Sequence, residues 1–279
     1  MFNQLLQLWL TLRVPQNQRY FIELAYDGTR YHGWQSQPNA VGVQQLVDKA
    51  LSTVFRTQIE TTGAGRTDTG VHARQLFAHF DVEEENQESR IKIQEKKANN
   101  SQPTTDNSQL RSINALLPHD IAAKRLIPVP PDAHARFDAT QRSYEYHIHF
   151  EKDPFLNNFS WMLRNKPDVT LMNEAAKIIV EYTDFSCFSK SNTQVKTNNC
   201  KITRAEWVES EGKLIFHISA DRFLRNMVRA IVGTLLMVGN KEIAPEEVRQ
   251  IIESKNRSNA GTSVPACGLY LTEVRYPYI

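Results

Sequence analysis

The chain has 279 residues and 41% hydrophobic content, enough for a packed core in one large domain or two of ordinary size, which sets aside wholesale disorder. Its 33 basic and 31 acidic residues leave a net charge of only +2, so any affinity for nucleic acid has to come from local patches. Three cysteines, Cys187, Cys200 and Cys267, are too few and too scattered for a disulfide framework or a zinc site, and read as reduced thiols of a cytosolic protein.

Residues 1–18 open with an apolar run broken by polar side chains. No Lys or Arg precedes that run and no small-residue cleavage pattern follows it, which argues against a signal peptide. The run is too short to span a bilayer, and no other segment approaches a membrane span. It reads equally as an appended helix or as residues upstream of the true start. Arg19 to Tyr26 alternates as a strand and ends at the Asp27-Gly28 turn. Val43, Leu46, Val47, Ala50, Leu51 and Val54 recur at helical spacing.

Gly63-Ala64-Gly65-Arg66-Thr67-Asp68-Thr69-Gly70-Val71-His72-Ala73 follows, between two segments that read as strands, 58–62 and 75–80. One carboxylate, Asp68, thus sits on a turn whose glycines permit tight backbone geometry, where an exposed acid can meet a ligand while the sheet holds it. The same letters also suit a plain polar turn with Asp68 bonded to nearby amides. A phosphate-binding loop fails on detail, because no Lys-Ser/Thr follows Gly70 and the next segment is extended rather than helical. From 83 to 109 the chain turns polar, a flexible insertion with no assigned chemistry. A stretch marked by Pro128, Pro130 and Pro131 leads to a boundary near 135.

In the second half, Ser143 to Phe150 alternates, with Tyr144, Tyr146, Ile148 and Phe150 on one face. His147 and His149 share the opposite face, but no third ligand accompanies them, so no metal site is expected. Leu171, Ala175, Ile178, Ile179 and Tyr182 mark a helix with Thr170 as its N-cap. Strands at 202–208 and 213–220 precede a long helix over about 222–238. On that helix Arg222, Arg225 and Arg229 share an arc of roughly 60°, about 110° from a stripe of Leu224, Val228, Ile231 and Leu235. One side packs while the other offers three guanidiniums, suited either to phosphates or to an ordinary solvated face. Another helix opens at Pro245, with Glu246 and Glu247 in its first turn, and a strand at 269–276 closes the chain. The fold class is α+β.

Gly65 to Ala73 resembles the signature of the TruA family of tRNA pseudouridine synthases. Further matches come in the family's order: Tyr26 to Pro38 with Val43-Gln44, Ala135 to Ala139 with Arg142 to Tyr146, Phe223 to Arg229, and Gly268 to Leu271. The resemblance spans roughly 19–277. It implies two α+β domains, 19–135 and 136–279, each a mainly antiparallel sheet with helices on one face, and an active-site cleft between them. It implies Asp68 as the catalytic carboxylate, acting ionised either on the nucleoside itself or as a base toward the ribose, with Arg66 and Arg229 as nearby cations. Tyr144 would stack on the base, Leu269 would wall it, and Arg222 and Arg225 would contact RNA. The expected substrate is tRNA at positions 38 to 40 of the anticodon stem-loop. The expected enzyme is a cytoplasmic homodimer without a cofactor. Rival readings are other RNA targets or an RNA-binding protein without catalysis; a glycosidase would want a second positioned acid, which is not evident beside Asp68. Two departures stand out: Ala133 where an aromatic is expected, and the variant loop Gly261-Thr262-Ser263-Val264-Pro265.

Overall fold

The computed structural model describes residues 17–83, 107–189 and 197–279. The expected N-terminal extension through 16 and the insertion over 84–106 lie outside the described residues. In chain order the strands are β1 (Asn17–Tyr26), β2 (Thr62–Gly63), β3 (His72–Glu83), β4 (Ile121–Val129), β5 (Gln141–His149), β6 (Trp161–Met162), β7 (Ile202–Ser210), β8 (Lys213–Ala220) and β9 (Leu269–Arg275). The helices are α1 (Val43–Phe55), α2 (Asn107–Leu116), α3 (Val169–Val180), α4 (Met227–Gly239) and α5 (Glu247–Glu253). All the strands belong to one mixed sheet in the order β4–β1–β3–β9–β5–β8–β7, with β2 added to β3 and β6 to β5. The fold is α+β.

In β1 the alternation is buried on both faces. Tyr20 and Ile22, paired with Phe80 and Ala78, face α1, whose Val47, Leu51 and Phe55 are buried. Phe55 and Phe80 pack with ring centroids 5.5 Å apart. On the other face, Phe21 meets Tyr276 edge-on at 5.1 Å, so the chain's end covers that side. Each such side chain contributes roughly 1.5–3 kcal/mol by leaving water. A second core joins the inner faces of β5 and β8 to α3, α4 and α5, through Tyr146, Ile148, Phe216, Ile231 and Leu235.

The two halves join where β3 and β9 pair in parallel, His72 opposite Tyr270 and Ala73 opposite Leu271. The Asp68 turn feeds directly into β3 at this junction, which puts it at the middle of the sheet.

Several expected elements shift. Of the strand read over 58–62 only the end pairs, as β2 against Ala78 and His79, but the hairpin around Asp68 forms. The polar helix α2 and the strand β4 carry too little apolar periodicity to be read. In β4, Pro128 lies on an edge strand, where its missing N–H costs no ladder bond. The N-cap of α3 is Asp168 rather than Thr170: its carboxylate accepts from the Leu171 amide at 3.2 Å. The helix expected from 222 begins only at Met227, because Asn226 holds φ 66°, a left-handed conformation that Asn tolerates but a helix excludes. The helix expected from Pro245 begins at Glu247.

Candidate active site

Two sets of contacts clamp the Asp68 loop. The first comes from 26–34. Gly28 and Gly33 let its backbone lie against the loop: a Cβ would stand 2.0 Å from the Val71 carbonyl oxygen at Gly28, and 2.2 Å from that of Thr67 at Gly33. Gly33 also has φ +83°, which disfavours any side chain. The Gly70 amide donates to Tyr31 O at 3.2 Å, and the Tyr26 and Thr67 hydroxyls bond at 2.8 Å. Burial raises the Tyr26 pKa, so that hydroxyl stays neutral.

The second clamp is His72, which is buried. Its Nδ1 accepts from the Gly28 amide at 3.1 Å, and its Nε2 reaches the carbonyls of Asn158 at 2.9 Å and Cys267 at 3.2 Å. Asp27 Oδ1 also stands 3.1 Å from Nδ1 and favours a protonated ring, but burial outweighs it and lowers the pKa, so the ring is neutral with Nδ1 accepting from Gly28 and the proton on Nε2. One imidazole thus ties the loop to both halves of the chain.

The Asp68 carboxylate remains a quarter exposed, at 25%. Arg229 Nη1 stands 3.8 Å from Oδ2, and Arg225 Nε stands 3.7 Å from Oδ1. Neither distance is a hydrogen bond, so both cations neutralise the carboxylate while leaving its lone pairs for a ligand. Arg229 is fixed from behind, since its Nε donates to Val264 O at 2.7 Å. The variant loop 261–265 therefore sets the position of this cation. Arg225 is mostly exposed and reaches Asp68 from the non-helical run before Asn226, not from a helix face.

Tyr144 lies on β5 opposite Leu271 and Ile218. Phe223 meets its ring edge-on at 5.1 Å and 86°. Its phenol is pushed up to about 12, first by burial, against the pull of Arg142, and further by the negative charge of Asp68. Asp68, Arg225 and Arg229 therefore form one cluster, and the neutral phenol of Tyr144 lies close enough for the Asp68 charge to act on it.

Leu269 is buried and pairs with Tyr146, two positions along β5 from the Tyr144–Leu271 pair. Arg66 and Arg222 fall outside the cluster. Arg66 is exposed and lines a separate groove with Trp34 and Arg136, and Arg222 donates to Thr197 O at 3.3 Å. The other departure, Ala133, is buried, and its carbonyl accepts from Arg19 at 3.0 Å.

Sequence reasoning missed four contributors. Phe223 opens the arginine motif, but nothing in the letters pairs its ring with Tyr144. Tyr26 and His72 sit inside recognised motifs, but their contacts link residues too far apart to be inferred from spacing. Arg142 donates to four backbone carbonyls, those of Ala64, Arg136, Ala139 and Asp221, and so braces the root of the Asp68 loop.

Comparison with known proteins gives the family. A family model described as tRNA pseudouridine synthase matches residues 175–277. The tRNA pseudouridine synthase A of Bacteroides fragilis is 51% identical over 261 residues, 93% of this chain and 97% of that protein. Its namesake from Porphyromonas gingivalis is 48% identical over the same shares of the two chains. That of Clostridium acetobutylicum is 39% identical over 91% of this chain and 98% of its own. The chain belongs to the TruA family of tRNA pseudouridine synthases.

Proposed function

We propose that this chain isomerises uridine to pseudouridine in tRNA, at positions 38 to 40 of the anticodon stem-loop, with Asp68 as the catalytic carboxylate. The observation that carries the reading is an accessible carboxylate, held on a braced loop between two guanidiniums and within reach of the charge-sensitive phenol of a partly buried, neutral tyrosine.

The reaction breaks the N1–C1′ bond, forms a C5–C1′ bond, and moves one proton from C5 to N1. Atoms and charge balance without a co-substrate. Ionised Asp68 supplies either the nucleophile or the base. Arg229, fixed by Val264, and Arg225 steady its charge as the target leaves water. Tyr144, held edge-on by Phe223, offers a flat ring for the uracil and a hydroxyl that donates a hydrogen bond. Leu269 extends the apolar wall. The uridine rotates out of its stack to reach Asp68, at a cost of a few kcal/mol that aromatic contact and phosphate binding offset.

Arg66 and Arg222, outside the cluster, contact the RNA strand. The division into lobes 19–135 and 136–279 follows the two hydrophobic cores only in the main, because Ala139, Leu271, Val274 and Tyr276 belong to the first core, Val71 to the second, and one sheet runs through both. Among the described residues no helix is long and apolar enough to cross a membrane. A cytoplasmic homodimer is proposed on the family resemblance alone, and light scattering on the purified protein checks its dimeric state. Mass-spectrometric mapping of tRNA from a strain lacking this gene, with and without the gene restored, tests the activity. Pseudouridine at 38–40 is expected only with the gene present, and an identical map in both strains would defeat the proposal.

A further inference from the structure

We infer that the groove beside the Asp68 loop is a second nucleotide site, which stacks an unpaired base flanking the target uridine on Phe137 and holds its phosphates with Arg66 and Arg136. The inference rests on the proposed activity on RNA and adds a location and a mode of contact.

The groove encloses about 300 Å³ between the 34–35 turn, the 60–66 run and Arg136. Its walls are braced. Buried Gln44 donates to Thr61 O at 2.7 Å and accepts from the Ser36 amide at 3.0 Å, which fixes two sides. Arg142 Nη2 donates to Ala64 O at 3.0 Å and to Arg136 O at 2.6 Å, which fixes the third against the Asp68 loop. A preformed groove of this kind loses little entropy on binding.

Arg66 and Arg136 line the groove, and Phe137 follows Arg136 in the chain and contacts its guanidinium. Arg66 and Arg136 are exposed, and neither forms an ion pair among the described residues. Phe137 is 75% exposed, an unfavourable place for a benzyl group unless something covers it. Its ring is nonetheless positioned. His134 packs against it at 4.3 Å and 35°, and the His134 Nδ1 accepts from the amides of Arg136 and Phe137. The Arg136 guanidinium carbon lies 5.8 Å from the Phe137 centroid. An exposed aromatic ring backed by a neighbour and accompanied by a guanidinium is how single-stranded RNA is held without regard to base identity. Glu60 also lines the groove and repels phosphate, so the backbone is confined to the Arg66–Arg136 side. Arg66 lies two residues before Asp68, so the occupant is an immediate neighbour of the flipped uridine rather than a distant part of the tRNA.

The test uses the full chain and two anticodon stem-loop RNAs carrying a fluorescent adenine analogue, one immediately 5′ and one immediately 3′ of the target uridine. With wild type, one of the two is expected to be quenched on binding. Phe137→Ala and Phe137→Leu should lose that quenching and raise KM about tenfold with kcat little changed, while Phe137→Tyr should retain both. Arg136→Gln should lower the salt slope of binding by about 1. Thermal melts confirm folding, and if Phe137→Ala does not fold, the Leu and Tyr variants decide. Wild-type turnover with unchanged KM and unchanged fluorescence in the Phe137 variants would overturn this site and leave the proposed activity standing. Absence of binding and turnover by wild type would remove both.

Discussion

Arg142→Met should loosen the active-site loop and lower stability together. In the native chain Nη1 donates to the carbonyls of Ala139 at 2.8 Å and Asp221 at 2.7 Å, and Nη2 to those of Ala64 and Arg136. Water replaces the two bonds to the exposed carbonyls of Asp221 and Arg136. Those to Ala139 and Ala64 are partly buried and are worth about 3–6 kcal/mol together, at roughly 1.5–3 kcal/mol for each charge-assisted bond. Removing a half-buried cation also returns part of its desolvation cost, which burial already registers as a lowered guanidinium pKa. The net loss is then about 2 kcal/mol, or roughly 4–8 °C in Tm for a chain of this size. Because Ala64 roots the Asp68 loop, kcat on tRNA should fall as well, with KM moving less. Arg142→Lys, which keeps the charge but not the fork, should lie between. Differential scanning fluorimetry and single-turnover kinetics on the same preparations read both effects. An Arg142→Met protein with unchanged or raised Tm and unchanged kcat would refute the bracing role.

Three other perturbations follow from the same contacts. Gly33→Ala places a Cβ against the Thr67 carbonyl at a positive φ, so it should cost at least about 1–2 kcal/mol and reduce turnover; equal melting and equal kcat would exclude the clamp. His79 is pushed down to about 4, chiefly by burial and then by the charges of Arg19 and His134, so the folded chain refuses a proton that the unfolded chain takes up near pH 6.5. Its contribution to stability is full above pH 6.5 and lost as pH falls through 4, and His79→Asn, which keeps an acceptor for the Ala135 amide, should flatten that acid limb in urea titrations; an unchanged pH profile would contradict it. Arg222→Ala with Arg225→Ala should weaken tRNA binding and reduce the salt slope by up to about 2, whereas an unaltered slope removes this segment from the interface.

The sequence exposes the site's chemistry more fully than its geometry. Asp68 is legible because glycines flank it and the surrounding letters form a recognisable signature. Arg225 and Arg229 are legible as cations, but an arc on a helix from 222 is the wrong route to them. Asn226 breaks that helix, and the break is what lets Arg225 approach Asp68 beside Arg229. Nothing local announces the break, since the Asn226 side chain is engaged by Ser263, 37 residues away. Arg66, two residues from Asp68, reads as its partner but lines the neighbouring groove, because alternate residues of a tight loop need not face the same side. Strand β4 is hidden by its weak apolar alternation and by Pro128, which an edge position tolerates, and α2 by a surface too polar to show a period. The parallel pairing of β3 with β9, which unites the halves, joins residues nearly 200 positions apart and leaves no local trace.

The sharpest measurement replaces Asp68 by Asn and follows pseudouridine formation on a defined tRNA by mass spectrometry, with binding recorded in parallel. Binding within a few-fold of wild type and no detectable pseudouridine is the expected outcome, since the amide fills the same space between Arg225 and Arg229 but supplies no negative charge. Appreciable turnover by Asp68→Asn would contradict the assignment of this carboxylate to the chemistry.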